Sequence, residues 1–186
     1  DYFIEYELRA WIDDYDNRRF IESDILKNIW YAFKRNNIIM PYPTNEVVNH
    51  FAHEDVHDES EMITILNKVK FFSGFHEDTL REIAKLVKKK VYGKGETLFY
   101  KGEKGDSFFI IYKGKVNIII DSEVVANLKK GDFFGEMSLF TGKERTATVE
   151  TAEDSEFIVL DKEGFGKILS KDTEIAEHIS KVIAER

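Results

Sequence analysis

From residue 91 to residue 161 the chain consists of short apolar runs interrupted by glycine, and this pattern restricts the fold more than any other feature of the sequence. The runs are rich in the β-branched and aromatic residues that favour strands: ETLFY, SFFIIYKG, KVNIIID, EVVANL, RTATVET and EFIVLD. The residues between them include Gly93, Gly95, Gly102, Gly105, Gly114 and Gly131. Several short strands joined by glycine turns are typical of an antiparallel sandwich or barrel. We therefore expect an antiparallel β-roll, similar to a jelly roll.

Residues with helical spacing lie on both sides of this predicted β-roll. Before it, one short helix is predicted around residues 63–72 and another over residues 79–87. The run KLVKKK, with Lys88 to Lys90, is interpreted as the solvated end of the second helix. After the β-roll, helices are predicted over DKEGFGKILS and over residues 173–186. Residues 62–186 are therefore predicted to form one helix-flanked domain.

A separate strand, helix, strand unit is predicted in residues 1–50. Apolar and polar residues alternate over residues 2–12, which predicts a half-buried strand. Apolar residues recur every four positions over residues 18–36, which predicts an amphipathic helix ended by two asparagines. Two prolines then force an extended path, and a second strand is expected from residue 47. A unit this small buries little core, so we expect it to dock against something else.

Residues 51–61 are polar and acidic and are predicted to form a linker between the two units. The expected fold class is therefore α+β, with the small strand-helix-strand unit followed by the helix-flanked β-roll.

Charge and composition exclude several kinds of function. The formal net charge of −8 argues against a general attraction to nucleic acid or to an anionic membrane surface, so an anionic ligand would need a local site. The chain has no cysteine, which removes disulfides and thiolate metal sites. No apolar run approaches the ~20 residues that span a bilayer. Because the first residue is Asp1, we expect a soluble piece of a longer protein.

The stretch HEDVH, residues 53–57, has the spacing of a catalytic zinc motif. Two histidines four apart can reach one metal from a helix, while the glutamate between them polarises a bound water. This motif, however, lies in the acidic linker, where no third ligand or supporting sheet is predicted. We therefore interpret the pattern as a coincidence of composition and expect no metal site, with a zinc hydrolase as the alternative.

The stretch GDFFGEMSLFTGKERTATV breaks the alternation expected of a strand. Gly135 permits a turn, and residues 136–140 are long enough for one helical turn that Gly142 would close. Such a turn presents backbone N–H groups at its amino end, and Arg145 follows Glu136 by nine residues with a fork of donors. Together they suit the phosphate of a nucleotide phosphodiester. The alternative is a structural ion pair at a turn.

The motif FGEMSLFTGKERTATV resembles the phosphate-binding cassette of cyclic nucleotide-binding domains: FGE, a short helix, and Arg followed by Ser or Thr and then Ala. The resemblance covers roughly residues 62–186 and implies that the chain binds cAMP or cGMP as a regulatory ligand. It implies that Glu136 accepts the ribose 2′-hydroxyl and that Arg145 pairs with the cyclic phosphate. The candidate contacts in the cassette are Gly135, Glu136, Met137, Ser138, Arg145, Thr146 and Ala147.

The same resemblance implies a pocket for the base. Ile118 and Leu128 would line it, and the last helix would close over it as a lid, with Val182 and Arg186 as candidate capping residues. Thr146 occupies the place where a hydroxyl can assist a syn guanine in members of the family. Members with Thr at this place also bind the adenine nucleotide, so the preferred base stays open.

The amino-terminal stretch YELRAWIDDYDNRRFIESDILKNIWYAFKRNNIIMPYP has a second resemblance. It is similar to the end of the cytoplasmic cage of small-conductance mechanosensitive channels, although the chain has Met40 where that family has Ile before its Pro-Tyr-Pro turn. This likeness covers roughly residues 2–50. It implies a cytoplasmic, homo-oligomeric part of a bacterial inner-membrane channel whose membrane helices lie outside this chain.

Taken together, these features predict a non-enzymatic sensor of cAMP or cGMP that acts on a channel pore through the linker. Its partners would be the cyclic nucleotide and the rest of its own channel, with no nucleic acid. A transcription regulator is an alternative, because a similar ligand domain occurs in catabolite-activator-like proteins. A domain with a purely structural role is another.

Overall fold

The computed structural model describes residues 7–13, 16–38 and 59–169. Its helices are α1 (Arg18–Arg35), α2 (Glu59–Lys68), α3 (Glu77–Leu86), α4 (Glu136–Thr141) and α5 (Lys162–Leu169), with a short 3₁₀ helix at Lys70–Phe72. Its strands are β1 (Lys88–Tyr92), β2 (Thr97–Phe99), β3 (Ser107–Lys113), β4 (Lys115–Ile120), β5 (Glu123–Lys129), β6 (Phe133–Phe134), β7 (Thr148–Thr151) and β8 (Ser155–Asp161).

The eight strands form two antiparallel sheets of four strands each. One sheet has the order β1-β8-β3-β6 and the other the order β2-β7-β4-β5. Helices α2 and α3 precede the sheets in the chain and α5 follows them. The predicted fold, a helix-flanked antiparallel β-roll, is therefore confirmed.

Strand β3 shows how the sequence builds two apolar layers at once. Phe108 and Ile110 pack with the helices, whereas Phe109 and Ile111 pack between the two sheets. This follows from the period of two in a strand, because alternate side chains point to opposite faces. A fully apolar strand is expected where both faces are covered. All four residues are at most 5% exposed.

Helix α1 contacts the sandwich at the turn between β1 and β2. Arg35 donates from Nη1 and Nη2 to the two carboxylate oxygens of Glu96, at 2.9 and 3.0 Å, and from Nη1 to Val91 O at 2.9 Å. Its guanidinium lies 4.1 Å from the centre of the Tyr92 ring. Gly93 fits because a Cβ there would lie 2.8 Å from Tyr31 Cδ2. We call this set of contacts the α1 dock.

The turn in the α1 dock is held in place by strand β7. Thr151, which is 1% exposed, donates its hydroxyl to Gly93 O and accepts a hydrogen bond from Glu96 N at 2.9 Å. Backbone hydrogen bonds join Gly95 N to Thr151 O at 2.8 Å and Thr151 N to Glu96 O at 3.0 Å. The turn therefore belongs to the sandwich and offers α1 a fixed surface.

Helix α1 matches the predicted helix over residues 18–36, and it ends at Arg35 with Asn36 as its C-cap, as the two asparagines predict. The strand predicted over residues 2–12 is wrong for residues 7–12, which have no strand structure, and Leu8 and Trp11 are 65% and 90% exposed. A strand needs a neighbour for its backbone hydrogen bonds. The part of the chain that the structure describes offers no such neighbour to residues 7–12.

The interpretation of KLVKKK as a solvated helix end is also wrong. Helix α3 ends at Leu86, and Lys88 to Lys90 belong to strand β1, paired with Val159 to Phe157 of β8. Strand β1 lies at the edge of its sheet. Edge strands commonly carry lysine because its charge opposes pairing with another chain, so a lysine run is compatible with this position.

Helix α2 begins at Glu59, inside the segment predicted as a linker. The prolines, the second predicted strand, His53 and His57, and the last predicted helix with Val182 and Arg186 lie outside the described residues. Within the residues that are described, no helix is both long and apolar enough to cross a lipid bilayer.

Candidate functional site

A cavity of about 480 Å³ lies between helix α4 and the sheet that contains β4, β5 and β7. Thirteen residues line it: Phe99, Ile118, Ala126, Leu128, Phe134, Gly135, Glu136, Met137, Ser138, Arg145, Thr146, Ala147 and Val149. This volume falls within the range of about 300–1,000 Å³ typical of small-molecule sites. We call this cavity the pocket.

The structure brings nine of the ten predicted site residues to the pocket, and the tenth, Val182, lies outside the described residues. The other four lining residues were not predicted. Ala126 lies two residues from Leu128 in β5, and Val149 lies two residues from Ala147, which directly precedes β7. The period of a strand could therefore have found these two. Phe99 and Phe134 carried no such signal.

Helix α4 forms as the glycine pattern predicts, because glycines with left-handed backbone stand at both of its ends. Gly135 has φ of 83° before the helix and Gly142 has φ of 67° after it. At Gly135 a side chain is also excluded by space, since a Cβ would lie 2.6 Å from Arg145 Nη1. The glycine therefore lets the backbone approach the guanidinium closely.

Arg145 is the main charged group of the pocket, and it is only 6% exposed. Its Nη1 donates to Gly135 O at 2.9 Å and to Ser138 Oγ at 2.7 Å. Its Nε is buried and has no hydrogen-bond partner among the described residues. A buried donor without a partner is costly, so this arginine has an unused capacity to bind an acceptor.

The surroundings of Arg145 are mainly apolar. Its guanidinium carbon lies 4.0 Å from the centre of the Phe99 ring and 5.9 Å from that of Phe109. Burial lowers the pKa of the Arg145 guanidinium from its usual value, while the charges of Asp106, Glu103 and Glu136 act in the opposite direction. An anion at this position would offset the cost of burying the cation.

Glu136 is buried at the first position of α4, with 5% of its surface exposed. Its charge attracts that of Arg145, but no ion pair links Arg145 to a carboxylate of the described residues. The described ion pairs therefore do not include the one between Glu136 and Arg145 that was considered from the sequence. Glu136 adds a hydrogen-bond acceptor to the pocket wall beside the arginine.

The opposite part of the pocket is apolar. Ile118 and Leu128 are half-buried and pack against the cluster between the sheets. Met137, which is 41% exposed, and Thr146, which is also exposed, lie on the more accessible part of the wall. The arrangement suits a ligand with one anionic end, hydroxyl groups and one flat apolar end.

Metal ligation can be examined only in the residues that are described. In residues 7–13, 16–38 and 59–169 no group of three or more histidine and acidic side chains is placed to hold a metal ion. The stretch HEDVH lies outside those ranges, so the zinc hypothesis for it is untested by the structure.

Comparison with protein families identifies the β-sandwich. Residues 89–172 match the family model described as "Cyclic nucleotide-binding domain". The sandwich therefore has the fold of a cyclic nucleotide-binding domain. All thirteen residues that line the pocket fall within the matched range.

Known proteins extend this likeness to about two thirds of the chain. The cGMP-dependent protein kinase egl-4 of Caenorhabditis elegans is 34% identical over 139 residues, which cover 68% of this chain and 18% of the kinase. The solved structure described as "cAMP bound PfPKA-R (141-441)" superimposes with a TM-score of 0.58 at 30% identity, covering 68% of this chain and 46% of that one.

A third likeness is to the catabolite activator protein of Thermus thermophilus. It superimposes with a TM-score of 0.57 at 25% identity, covering 63% of this chain and 57% of that one. The chain spans less than a fifth of the length of the curated kinase that it matches.

Proposed function

We propose that this chain is a sensor that binds cAMP or cGMP in the pocket and thereby regulates the protein to which it belongs. The strongest support is Arg145, a buried cation with no ion-pair partner among the described carboxylates and with one unused donor. The cyclic phosphate would bind there. Glu136 would accept the ribose 2′-hydroxyl, and Ile118 and Leu128 would contact the base.

Both nucleotides stay candidates for the ligand. The name of the nematode relative indicates cGMP, whereas the superimposed solved structure contains cAMP. Thr146 lies at the pocket and offers a hydroxyl to either ligand. The role is regulatory and not catalytic in this proposal, because the described residues that line the pocket supply a carboxylate and a guanidinium beside apolar walls and include no paired acid and base.

We further propose that the regulated protein is a homo-oligomeric ion channel of the mechanosensitive type, with this chain on the cytoplasmic side of a bacterial inner membrane. The support is the likeness of residues 2–50 to the cytoplasmic cage of such channels. The ligand would act on the pore by binding one conformation more tightly than another. A transcription regulator is the second candidate, supported by the likeness to the catabolite activator protein.

Titration calorimetry of the chain with cAMP, cGMP and linear AMP tests the sensor. We expect binding of at least one cyclic nucleotide and much weaker binding of linear AMP. A ligand at a hundred times its Kd adds about 2.7 kcal/mol to the free energy of unfolding, so the Tm should rise by roughly 5–11 °C. Absence of binding by both cyclic nucleotides would reject the proposal.

The ribose contact can be tested separately with Glu136→Gln. This variant should lose affinity for the cyclic ribonucleotide, because a neutral amide accepts a weaker hydrogen bond than a carboxylate. Affinity for the 2′-deoxy analogue should change little. An equal loss for both ligands would contradict the role of Glu136.

The channel proposal has an inexpensive test in the open reading frame that contains residues 1–186. Upstream sequence with apolar segments of about 20 residues is expected if the chain belongs to a channel. A kinase domain, or a helix-turn-helix downstream, would reject the channel and leave the sensor intact.

A further inference from the structure

Phe99 lines the pocket, although neither its sequence pattern nor its position at the end of a strand predicts a role there. It is the last residue of β2 and is 9% exposed. The guanidinium carbon of Arg145 lies 4.0 Å from the centre of its ring, well inside the distance of about 6 Å at which a cation is attracted to an aromatic face.

The Phe99 ring is itself held by other aromatic residues. Its centre lies 5.8 Å from that of Phe109 and 6.0 Å from that of Phe134, and these two rings stack on each other at 5.2 Å with an interplanar angle of 2°. A ring fixed on two sides provides a surface of defined orientation. The face that it presents to Arg145 is therefore set by the sheet-to-sheet packing.

Arg145 needs such support because its other contacts are neutral. Its Nη1 bonds a carbonyl and a hydroxyl oxygen, and no described carboxylate forms an ion pair with it. Three carboxylates nevertheless attract it through space, those of Asp106, Glu103 and Glu136. An arginine side chain that lost its support could turn toward one of them, since arginine has several rotatable bonds.

We propose that Phe99 is a positioning residue for ligand binding, because its ring holds the Arg145 guanidinium at the pocket wall in a geometry ready for an anion. The inference rests on the proposed function. A ring of this kind raises the fraction of molecules that are competent to bind, and the measured Kd varies inversely with that fraction. It also leaves the hydrogen-bonding edge of the guanidinium available for the phosphate, which a carboxylate partner would occupy.

Fluorination of the ring separates this role from mere packing. Replacing Phe99 with 4-fluoro-, 3,5-difluoro- and 3,4,5-trifluorophenylalanine withdraws electrons stepwise from the ring face and changes its volume little. We expect the Kd of whichever cyclic nucleotide binds to rise in steps, by about three- to tenfold at the trifluoro ring. Phe99→Leu should weaken binding at least as much.

Phe157 provides the matched control. It belongs to the same aromatic cluster and packs edge-on against Phe109 and Phe134, but it does not line the pocket and makes no cation–π contact with Arg145 in the described part of the chain. The same fluorinated series at Phe157 should leave the Kd within about twofold of its starting value. A parallel loss at both positions would overturn the inference, since it would indicate general damage to the pocket.

A measurement without ligand completes the test. Protons near the face of an aromatic ring are shielded, so the Nε–H resonance of Arg145 should move downfield in Phe99→Leu, with Arg145→Lys used to assign the signal. If the wild-type chain binds neither cAMP nor cGMP, the proposed function fails. If the Arg145 Nε–H resonance is also the same in Phe99→Leu as in the wild type, the ring contact is overturned as well. If the chain binds nucleotide and the Phe99 series leaves the Kd flat, the inference alone fails.

Discussion

Two arginines of this chain lie over aromatic rings in nearly the same way, yet their remaining contacts differ. Arg145 lies 4.0 Å from the Phe99 ring and Arg35 lies 4.1 Å from the Tyr92 ring. Arg35 also forms a bidentate ion pair with Glu96, whereas Arg145 has only neutral partners and a buried Nε with none among the described residues. Among the described residues, a carboxylate bonds the arginine of the α1 dock, whereas none bonds the arginine of the pocket.

The contrast shows what to look for in a binding site. Burial by itself does not distinguish the two groups, because the side chain of Arg35 is only 16% exposed and Arg145 is 6% exposed. The difference lies in the hydrogen bonds that the protein itself completes. A largely buried cation that is paired with a carboxylate stabilises the fold, and a buried cation with an unused donor can recognise a ligand.

The largest effect should come from Arg145→Ala. This change removes a charge-assisted contact worth about 1.5–3 kcal/mol, so the affinity for cyclic nucleotide should fall roughly ten- to hundredfold. Calorimetry measures the loss, and circular dichroism checks that the fold is kept. Arg35→Ala is the control, and its affinity should stay within about twofold of the wild type. Equal losses would show that the two arginines do not differ in role.

Arg35→Ala should instead weaken the α1 dock. Removing the arginine leaves Glu96 without its bidentate partner, at a cost of about 1–2 kcal/mol given the partial exposure of the pair. Hydrogen exchange of amides in α1 should accelerate, while exchange in β3 and β8 should not. Unchanged exchange in α1 would mean that other contacts hold the helix.

Gly105→Ala tests the same comparison by changing the surroundings of Arg145 in the pocket. A Cβ at this position would lie 2.0 Å from Ser138 Oγ and 2.7 Å from Arg145 Nε, so the serine and the arginine must shift. We expect nucleotide affinity to fall about five- to tenfold, with a loss of stability near the lower end of the 1–3 kcal/mol typical of overpacking. Gly95→Ala is a useful contrast, because its Cβ would meet no atom within 4 Å and its cost would arise from φ of 80° alone.

The smallest effect should come from the exposed part of the contact between α1 and the sandwich. Lys27 donates to Asp154 at 2.8 Å, and both side chains are nearly half exposed, so Lys27→Ala should cost at most about 0.5 kcal/mol. The hydrogen bond from Lys27 lowers the pKa of Asp154. The contribution is therefore present above the unfolded pKa of about 3.9 and is lost as pH falls through the lower folded value. Urea unfolding of both proteins at pH 7 and at pH 2 should show the difference only at the higher pH.

Much of the pocket could be predicted because its residues are close in sequence. Eight of the lining residues fall in the stretch from Gly135 to Val149, where two glycines and one arginine fix the local geometry. Helix α4 could likewise be predicted from Gly135 and Gly142. Local spacing is what a single sequence shows most directly.

Contacts between distant positions could not be predicted in the same way. The ion pair of Arg35 with Glu96 joins residues 61 positions apart, and the Phe99 ring reaches Arg145 from a different strand. Each residue alone has an ordinary pattern, an arginine at a helix end and a phenylalanine in a strand. Strand β1 was not predicted for a related reason. Its three consecutive lysines lack the alternation of apolar and polar residues that indicates a strand, and they are explained by the position of β1 at the edge of its sheet.

Strand β7 serves both regions at once. Ala147, which directly precedes β7, is buried, as are Val149 and Thr151 within the strand. The first two line the pocket, while Thr151 holds the turn that receives α1. Inserting or deleting one residue between Ala147 and Thr151 would therefore turn one of these side chains to the opposite face. The spacing of these three positions sets the distance between the pocket and the turn that receives α1. Natural variation in chain length should therefore occur in the loops around residues 147–151 and not within them.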